Sequence, residues 1–215
     1  MNVLAAWPSV DVIEANDTAA VWKAQGYGTA VLVDYSCDEQ QHIDQLFHID
    51  KWKGFPYAAN YLCKKTNYDI IIIAGNDLTP DLSHTAQELG SEFINYFNGT
   101  MGLMHPTGDR YGLIDDASIC PWIGREYAAR MPGPYNEDYY HYFCDGELQD
   151  VAKLQGVFWQ RPDLIQYHDH WAREGQVRPD HLKPANERHT ADKVTYETRK
   201  AANFPGAFPC SNKIG

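Results

Sequence analysis

Hydrophobic positions in the first hundred residues alternate between two patterns. Short apolar runs, of which Ile70 to Ile73 is the clearest, are hydrophobic on both faces and predict strands buried between helices. Between them, apolar residues recur every three or four positions, which predicts amphipathic helices. This order predicts an α/β fold with a mostly parallel, Rossmann-like sheet and right-handed crossovers. Strands are predicted at 3–7, 29–33, 70–73, 101–104 and 157–160, and helices at 12–25, 56–65, 82–97 and 147–155.

Three other segments lack a clear period. The polar segment 37–50 predicts a loop or a weak helix, and 105–145 is rich in Gly, Pro, Tyr and Trp, a composition typical of binding loops over a scaffold. The polar segment from about Glu174 predicts an extended tail lying on the domain. We therefore expect one domain over 1–173 and a C-terminal extension over 174–215.

Composition narrows the possible functions. The 215 residues carry a formal net charge of −11, which argues against a broad cationic surface for non-specific DNA binding. Five widely spaced cysteines form no CxxC pair, so they indicate reduced thiols rather than a disulfide framework or a cysteine zinc site. With no signal-peptide pattern and no membrane-span pattern, we expect a soluble cytoplasmic protein.

Polar residues follow two of the predicted strands. Asn76, Asp77 and Asp81 come after Ile70 to Ile73, and Asp34 ends the strand at 29–33. Ligands of open α/β sheets bind beyond the carboxyl ends of strands, where a carboxylate can hold a divalent cation against a phosphate. Asp77 is therefore a candidate metal or nucleotide ligand, or else only a cap for the following helix. Asp34 points at the same crevice if the two strands are neighbours, and is otherwise a turn aspartate.

Two further groups could carry chemistry. Asp145 and Glu147 stand where an aromatic-rich loop becomes a helix, so they are either helix caps or a general base whose apolar surroundings raise its pKa. His168 and His170 share one face of an extended segment, which permits joint metal binding, although nine histidines in the chain make a chance pair plausible. No GxSxG, HExxH or Walker A sequence is present, which argues against those hydrolase and P-loop classes.

Taken in order, the segments AGNDLTPD, CPWIGRE, FCDGEL and YHDH resemble those of a GT-A glycosyltransferase of the family 2 type. The resemblance runs from about Val3 to His170. Within that family it is closest to compact bacteriophage glycosyltransferases with PTGDR, PWIGRE and RPDLxxYHxHW segments.

The resemblance implies a role for each matching residue. Pro8 and Ser9 would line the nucleotide pocket, and Asp34 would accept a hydrogen bond from the base. KGFPYAAN resembles the N-x-G-x-x-x-x-N helix of the family, with Lys53 near the phosphates and Gly54 and Asn60 matching. AGNDLTP stands where many relatives have ADDDxxP, so Asp77 corresponds to the second DxD carboxylate and Gly75 replaces the first. Asn76 and Asp77 would contact the nucleotide donor. Trp122, Gly124 and Arg125 would lie near the acceptor or donor sugar, Asp145 would be the inverting base with Glu147 as its neighbour, and His168 or His170 would complete the metal site.

The implied activity is transfer, with inversion, of a sugar from a nucleotide-diphosphate sugar to an acceptor hydroxyl. UDP is the commonest nucleotide of such donors, and Mn²⁺ or Mg²⁺ is the implied metal. The implied acceptor is a hydroxymethylated pyrimidine in phage DNA, in the host cytoplasm, and a protein or glycan is the alternative. Two other functions stay open. A nucleotidyltransferase would require a glycine-rich basic loop at the N-terminus, which MNVLAAWPSVD lacks. A non-catalytic binding module would be consistent with Gly75.

Overall fold

A computed structural model describes residues 1–38, 40–109, 112–113, 117–130, 133–171, 175 and 177–207. Within these ranges the chain forms an α/β domain, as the alternating pattern predicts. The strands are β1 (Val3–Pro8), β2 (Gly28–Val33), β3 (Gln45–His48), β4 (Ile70–Ile73), β5 (Leu78–Thr79), β6 (Leu103–Asp109), β7 (Gly112–Leu113), β8 (Trp122–Gly124), β9 (Phe158–Ile165) and β10 (Tyr167–His168). The helices are α1 (Val12–Ala24), α2 (Phe55–Lys65), α3 (Ala86–Phe97), α4 (Arg125–Ala128), α5 (Cys144–Leu154) and α6 (Lys183–Ala201).

The main sheet is mostly parallel, which confirms the predicted fold class. Its strand order is β3-β2-β1-β4-β8-β6-β7, with β9 also paired to β6. The pairs β3–β2, β2–β1, β1–β4 and β6–β9 are parallel, whereas β8 runs antiparallel to both β4 and β6. A separate antiparallel pair joins β5 to β10.

The four isoleucines of β4 show why the sheet forms at this position. Ile70 and Ile72 belong to the apolar cluster on one face of the sheet, and Ile71 and Ile73 to the cluster on the other face. Each is no more than 1% exposed. Burying such a side chain stabilises the fold by about 1.5–3 kcal/mol, so β4 anchors both layers of the core.

Two predictions about secondary structure are wrong. The segment 37–50, expected to be a loop or weak helix, contains β3, which pairs in parallel with β2. The segment expected to be an extended tail contains the 19-residue helix α6, which contacts α5 through side chains. No helix in the described part of the chain combines the length and apolar character that crossing a membrane requires.

The strand directions determine which segments share one edge of the sheet. Strands β1, β2, β3 and β4 all end at the same edge, which we call the carboxyl edge. Helix α2 starts there because it follows β3. Helix α5 also starts there, because it precedes β9 and β9 runs parallel to β6. The loops at the carboxyl edge therefore contain residues 9–11, 34–38, 49–54, 74–77 and the start of α5.

Candidate functional site

A cavity of about 460 Å³ opens at the carboxyl edge beside the ends of β1 and β2. The cavity is wide open to solvent, so a ligand bound there would stay partly exposed. Pro8 ends β1 and Ser9 is buried behind the cavity, where its backbone N–H donates to the Leu32 carbonyl at 2.8 Å. Asp34 is exposed at the end of β2, directly before Tyr35. The cavity is lined by Val10, Asp11, Val12, Ile13, Tyr35, Cys37 and Asp38.

Tyr35 and Asp11 are two cavity residues that the sequence analysis missed. The Tyr35 hydroxyl accepts a hydrogen bond from the Val12 backbone N–H at 2.8 Å, and its side chain is partly exposed. Asp11 caps α1, since its side chain accepts from the N–H groups of Ile13 and Glu14. Their positions in the sequence could have indicated them, because Tyr35 follows the strand-end residue Asp34 and Asp11 directly precedes the helix α1.

Asp77 lies at the end of β4 in contact with His168. The pairing of β10 with β5 aligns His168 with Leu78, and this brings the His168 Nε2 to 3.2 Å from the Asp77 Oδ2. The Asp169 N–H also donates to the Asp77 carbonyl at 2.9 Å. The rings of His168 and His170 are 5.1 Å apart. The structure thus brings together the three residues predicted to bind metal, although Asp77 and His168 are 91 positions apart in the chain.

The carboxyl group of Asp77 is held in its ionised form. Burial alone would raise its pKa, but the hydrogen bond and charge of His168 and the charge of His170 together lower the pKa below its usual value. The side chain of Asp77 is 38% exposed and that of His168 is 13% exposed. A ligand arriving at the carboxyl edge can therefore reach this carboxylate.

The Asp77–His168 pair fits two positions of a divalent cation, but it does not form a complete site. Neighbouring ligands of octahedral Mg²⁺ lie about 3 Å apart, close to the observed 3.2 Å. Among the described residues, no three His, Cys, Asp or Glu side chains form a ready metal cluster. Protein sites for Mg²⁺ often use one or two side chains and complete the shell with substrate phosphates and water, which is the arrangement this pair allows.

Gly75 is the position where the resemblance leads one to expect a first carboxylate. A Cβ built on Gly75 would lie 2.7 Å from the Asp77 Oδ1. The carboxylate of Asp77 therefore folds back over Gly75 and occupies the space that a side chain there would need. Glycine at this position and the inward orientation of Asp77 belong to one local arrangement.

Asn76 and Asp81 form hydrogen bonds with other residues of the protein. Asn76 accepts a hydrogen bond from the Trp7 Nε1 at 2.8 Å and donates to Ser9 Oγ at 2.9 Å and Glu14 Oε2 at 3.0 Å. The buried Asp81 accepts from the backbone N–H of Ile165 at 2.8 Å. These bonds hold the loop after β4 against β1, α1 and the end of β9, and so fix the backbone on either side of Asp77. The predicted contact of Asn76 with a nucleotide stays a prediction.

The start of α2 lies at the same edge. Lys53 is exposed, and its ammonium group sits 4.5 Å from the centre of the Tyr57 ring. Gly54 has a φ of +110°, and a Cβ there would lie 2.5 Å from the Tyr140 carbonyl oxygen, so glycine is required. The buried amide of Asn60 holds Tyr135: it donates to the Tyr135 carbonyl and accepts from its N–H. The predicted nucleotide contacts of Lys53, Gly54 and Asn60 remain predictions.

The two carboxylates at the start of α5 have different surroundings. Glu147 is 5% exposed, accepts a hydrogen bond from Tyr139 at 2.6 Å, and binds Arg199 through both of its oxygens at 2.8 Å. Asp145 is half-buried, and its Oδ1 accepts from the Gly146 N–H at 2.9 Å. Glu147 is therefore committed to Arg199, and the predicted role of Asp145 as the base stays a prediction.

Gly124 and Arg125 do not lie at the carboxyl edge, and Trp122 is buried. Strand β8 runs antiparallel to β4 and aligns Gly124 with Ile70, the first residue of β4, so Gly124 and Arg125 lie at the opposite edge. There Arg125 donates to Asn67 Oδ1 at 2.8 Å. Trp122 is 1% exposed within the core. This register places Gly124 and Arg125 at the edge opposite Asp77, and Trp122 has almost no exposed surface. The predicted contacts of these three residues with a sugar stay predictions.

Asp34 also requires a correction in detail. Strands β2 and β4 are not neighbours, because β1 lies between them and pairs with both. Asp34 and Asp77 therefore end strands two places apart on one edge. That spacing separates a cavity at β1 and β2 from the Asp77–His168 pair at β4.

The fold is similar to that of TarS from S. aureus. The chain matches TarS 1–349 in complex with UDP with a TM-score of 0.57 and 10% sequence identity, over 77% of this chain and 60% of that one. For the complex with UDP-GlcNAc, the TM-score is 0.55 at 10% identity, over 77% of this chain and 58% of that one. A longer TarS structure matches with a TM-score of 0.54 at 9% identity over 77% of this chain, and this chain spans 36% of it.

These matches show likeness of fold rather than of sequence. No protein-family model and no curated protein sequence matches the chain. The chain spans less than two thirds of the TarS structures. The mostly parallel sheet with helices on both faces is the GT-A-like arrangement that the sequence resemblance implies, and the fold prediction is confirmed.

Proposed function

We propose that this protein is a glycosyltransferase that uses a nucleotide-diphosphate sugar as donor. One observation carries the proposal: the carboxyl edge of a single sheet holds both an open cavity of about 460 Å³ at the ends of β1 and β2 and, after the neighbouring strand β4, an accessible Asp–His pair. TarS, which has a similar fold, forms complexes with UDP and UDP-GlcNAc. A UDP-sugar is accordingly the donor class to test first.

The spacing of these features suits a nucleotide sugar. The base and ribose would occupy the cavity beside Asp11, Asp34 and Tyr35, with Asp34 accepting a hydrogen bond from the base. The diphosphate would extend toward Asp77 and His168, with Lys53 on the same edge. A Mn²⁺ or Mg²⁺ ion bound by Asp77 and His168, with His170 nearby, would neutralise charge on the departing diphosphate. The oxygen and nitrogen ligands suit these ions better than a thiolate-preferring metal.

Asp145 is the proposed general base. It would accept the proton of the acceptor hydroxyl while the hydroxyl oxygen bonds to the anomeric carbon and the bond to the diphosphate breaks. Attack from the face opposite the leaving group gives inversion. Its position at the N-terminus of α5, on the same edge of the sheet as Asp77, supports this role.

The first acceptor to assay is a hydroxymethylated pyrimidine in DNA, which the resemblance to bacteriophage enzymes suggests. A protein or glycan hydroxyl is the alternative. The net charge of −11 adds no support for a DNA acceptor. Mass spectrometry of modified DNA and of candidate glycans incubated with UDP-sugars would identify which substrate gains the mass of a sugar.

The decisive experiment combines binding with turnover. We expect UDP to bind in calorimetry and a UDP-sugar to be converted to UDP and a glycosylated product. Asp145→Asn should reduce transfer by about 100-fold or more and leave the UDP affinity within about two-fold, because the residue acts on the acceptor. Asp138→Asn, at an exposed carboxylate in the loop before α5, is the matched control and should change neither quantity.

Other results would identify a different function. Release of pyrophosphate would indicate a nucleotidyltransferase. UDP binding without turnover would indicate a binding module, the second candidate, with which Gly75 in place of the first carboxylate is consistent. The glycosyltransferase proposal fails if the protein neither binds nor cleaves any nucleotide sugar. Full activity of Asp145→Asn would overturn the assignment of the base alone.

A further inference from the structure

A carboxylate on α6 is buried against the turn that leads into α5. Asp192 is 3% exposed. Its Oδ1 accepts the backbone N–H of Tyr140, and its Oδ2 accepts those of His141 and Tyr142, each at 2.9 Å. Three charge-assisted hydrogen bonds on successive residues fix the path of the backbone more firmly than packing alone. One side chain thus holds the turn 140–142.

The end of this turn has a backbone conformation that needs support. Phe143 has a φ of 65° and a ψ of −6°, in the left-handed region that bulky residues rarely adopt. Its ring stacks on Tyr196 of α6, with centroids 5.7 Å apart, and lies 5.2 Å from the ring of His189. Helix α6 therefore holds both the backbone before Phe143 and the side chain of Phe143 itself.

The same turn connects two parts of the proposed active site. The Tyr140 carbonyl accepts the N–H of Phe55 at 2.8 Å, which joins the turn to the start of α2 beside Lys53 and Gly54. Asp145 follows Phe143 by two residues, in the first turn of α5. A change in the backbone at 140–143 would thus move the Asp145 carboxylate relative to the donor site.

We propose that Asp192 is a positioning residue, which holds the strained turn at Phe143 and thereby orients Asp145 toward the acceptor hydroxyl. This inference rests on the proposed function, since it concerns the base of that reaction. The described hydrogen bonds of Asp192 are to the backbone of the turn, so it acts through Asp145. Helix α6 then supports the active site, although its sequence is polar.

The test is Asp192→Asn, which keeps the size of the side chain but replaces one acceptor oxygen with a donor amide. We expect kcat for transfer to fall by about 100-fold, the loss typical of a misplaced reacting group. The UDP affinity should fall much less than kcat, because the cavity residues lie at the ends of β1 and β2 and the turn reaches the donor site only through the start of α2. Hydrogen exchange at the amides of 140–142 should become faster.

Glu197→Gln is the matched control. It removes one negative charge from an exposed position on the same helix, 3.8 Å from Lys193, and should leave kcat and amide exchange unchanged. Tyr196→Leu provides a second variant in case Asp192→Asn does not fold. It removes the ring stacked on Phe143, keeps apolar volume, and should lower kcat by about 10-fold with UDP affinity retained, a smaller loss because the hydrogen bonds to the turn remain.

The outcomes separate this inference from the proposed function. If the wild-type protein transfers no sugar from any nucleotide sugar, the proposed function fails and the inference fails with it. If the wild type is active and Asp192→Asn has the same kcat, the positioning role alone is wrong, whether or not amide exchange changes. Equal losses of kcat and UDP affinity would instead show that Asp192 supports the whole fold, which also contradicts the inference.

Discussion

Single residues at the carboxyl edge owe their chemistry to partners far away in the chain. Asp77 is recognisable in the sequence as a strand-end carboxylate. Burial alone would raise its pKa, and its pKa is lowered because His168 and His170 outweigh that effect. Gly75 leaves room for the Asp77 carboxylate to fold back. The absence of a side chain at 75 therefore accommodates the observed orientation of the carboxylate at 77, a coupling that a motif comparison records only as a missing carboxylate.

We expect Asp77→Asn to weaken UDP binding in the presence of Mn²⁺ by about 10-fold, the lower end of the loss seen when a metal site is altered. Binding without Mn²⁺ should change little, because the pocket proposed for the base is lined by residues that follow β1 and β2 and not by Asp77. Calorimetric titration of UDP with and without Mn²⁺ measures both quantities. Asp17→Asn, at an exposed carboxylate on α1, should behave like the wild type. An undiminished effect of Mn²⁺ in Asp77→Asn would show that other residues bind the metal.

At the scale of elements, the start of α2 makes a close backbone contact with the turn that precedes α5. Gly54 has a positive φ, and a Cβ at this position would lie only 2.5 Å from the Tyr140 carbonyl oxygen, which leaves no space for a side chain. Gly54→Ala should therefore lower the free energy of unfolding by about 2–3 kcal/mol, from backbone strain together with the displaced turn. Urea denaturation measures this change.

Gly156→Ala is the control for Gly54→Ala. Gly156 also has a positive φ, of +68°, but no atom lies within 4 Å of the position that its Cβ would take. We expect it to cost only about 1 kcal/mol, the conformational penalty alone. Similar losses at the two positions would show that the contact between α2 and the turn before α5 contributes nothing to stability.

Elements with weak hydrophobic patterns escaped prediction. Strand β3 has only four residues, and its burial pattern is intermediate to exposed, so no apolar run marks it. Helix α6 buries just two of its 19 residues, Ala185 and Asp192, of which one is an aspartate. Both elements are stabilised by other parts of the fold. Strand β3 pairs with the edge of β2, and α6 forms hydrogen bonds and ion pairs with α5 and with the turn before it. Such stabilisation leaves little periodicity in the sequence.

At the scale of the whole molecule, stability should depend on pH through a buried histidine. His105 is 2% exposed, and burial, together with the charge of Lys153, lowers its pKa from 6.5 to about 4, although a hydrogen bond with Gln149 opposes the shift. The unfolded chain therefore binds a proton at this residue at a higher pH than the folded chain does. The contribution of neutral His105 to the free energy of unfolding is therefore fully present above about pH 6.5 and is lost as the pH falls toward 4.

Because of His105, the free energy of unfolding should fall by about 2 kcal/mol between pH 7 and pH 5, and by about 3 kcal/mol between pH 7 and pH 4. Urea unfolding of the wild type and of His105→Gln at pH 7 and pH 5 tests this, since the variant should lose less stability on acidification. His42→Gln, at an exposed position, should retain the wild-type slope. The pKa values of Asp77 and Asp81 are also lowered, so a second loss should follow at more acid pH.

The sequence by itself determined the fold class and the residues at strand ends. Runs such as Ile70–Ile73 bury both faces, and local hydrophobic period is enough to place them in a covered parallel sheet. Because parallel strands end at one edge, Asp34 and Asp77 could be assigned to that edge from order alone. Asp145 could be recognised as the first carboxylate of a helix.

Only the tertiary structure decided which residues meet. Strand order put β1 between β2 and β4, the antiparallel register of β8 carried Gly124 and Arg125 to the opposite edge, and β10 brought His168 to Asp77. Arg199 engages Glu147, and Asp192 holds the turn before Asp145. The side-chain contacts among these join positions about 50 to 90 residues apart. Such pairings follow from the packing of the whole chain, because local pattern carries no information about which distant segment will be the partner.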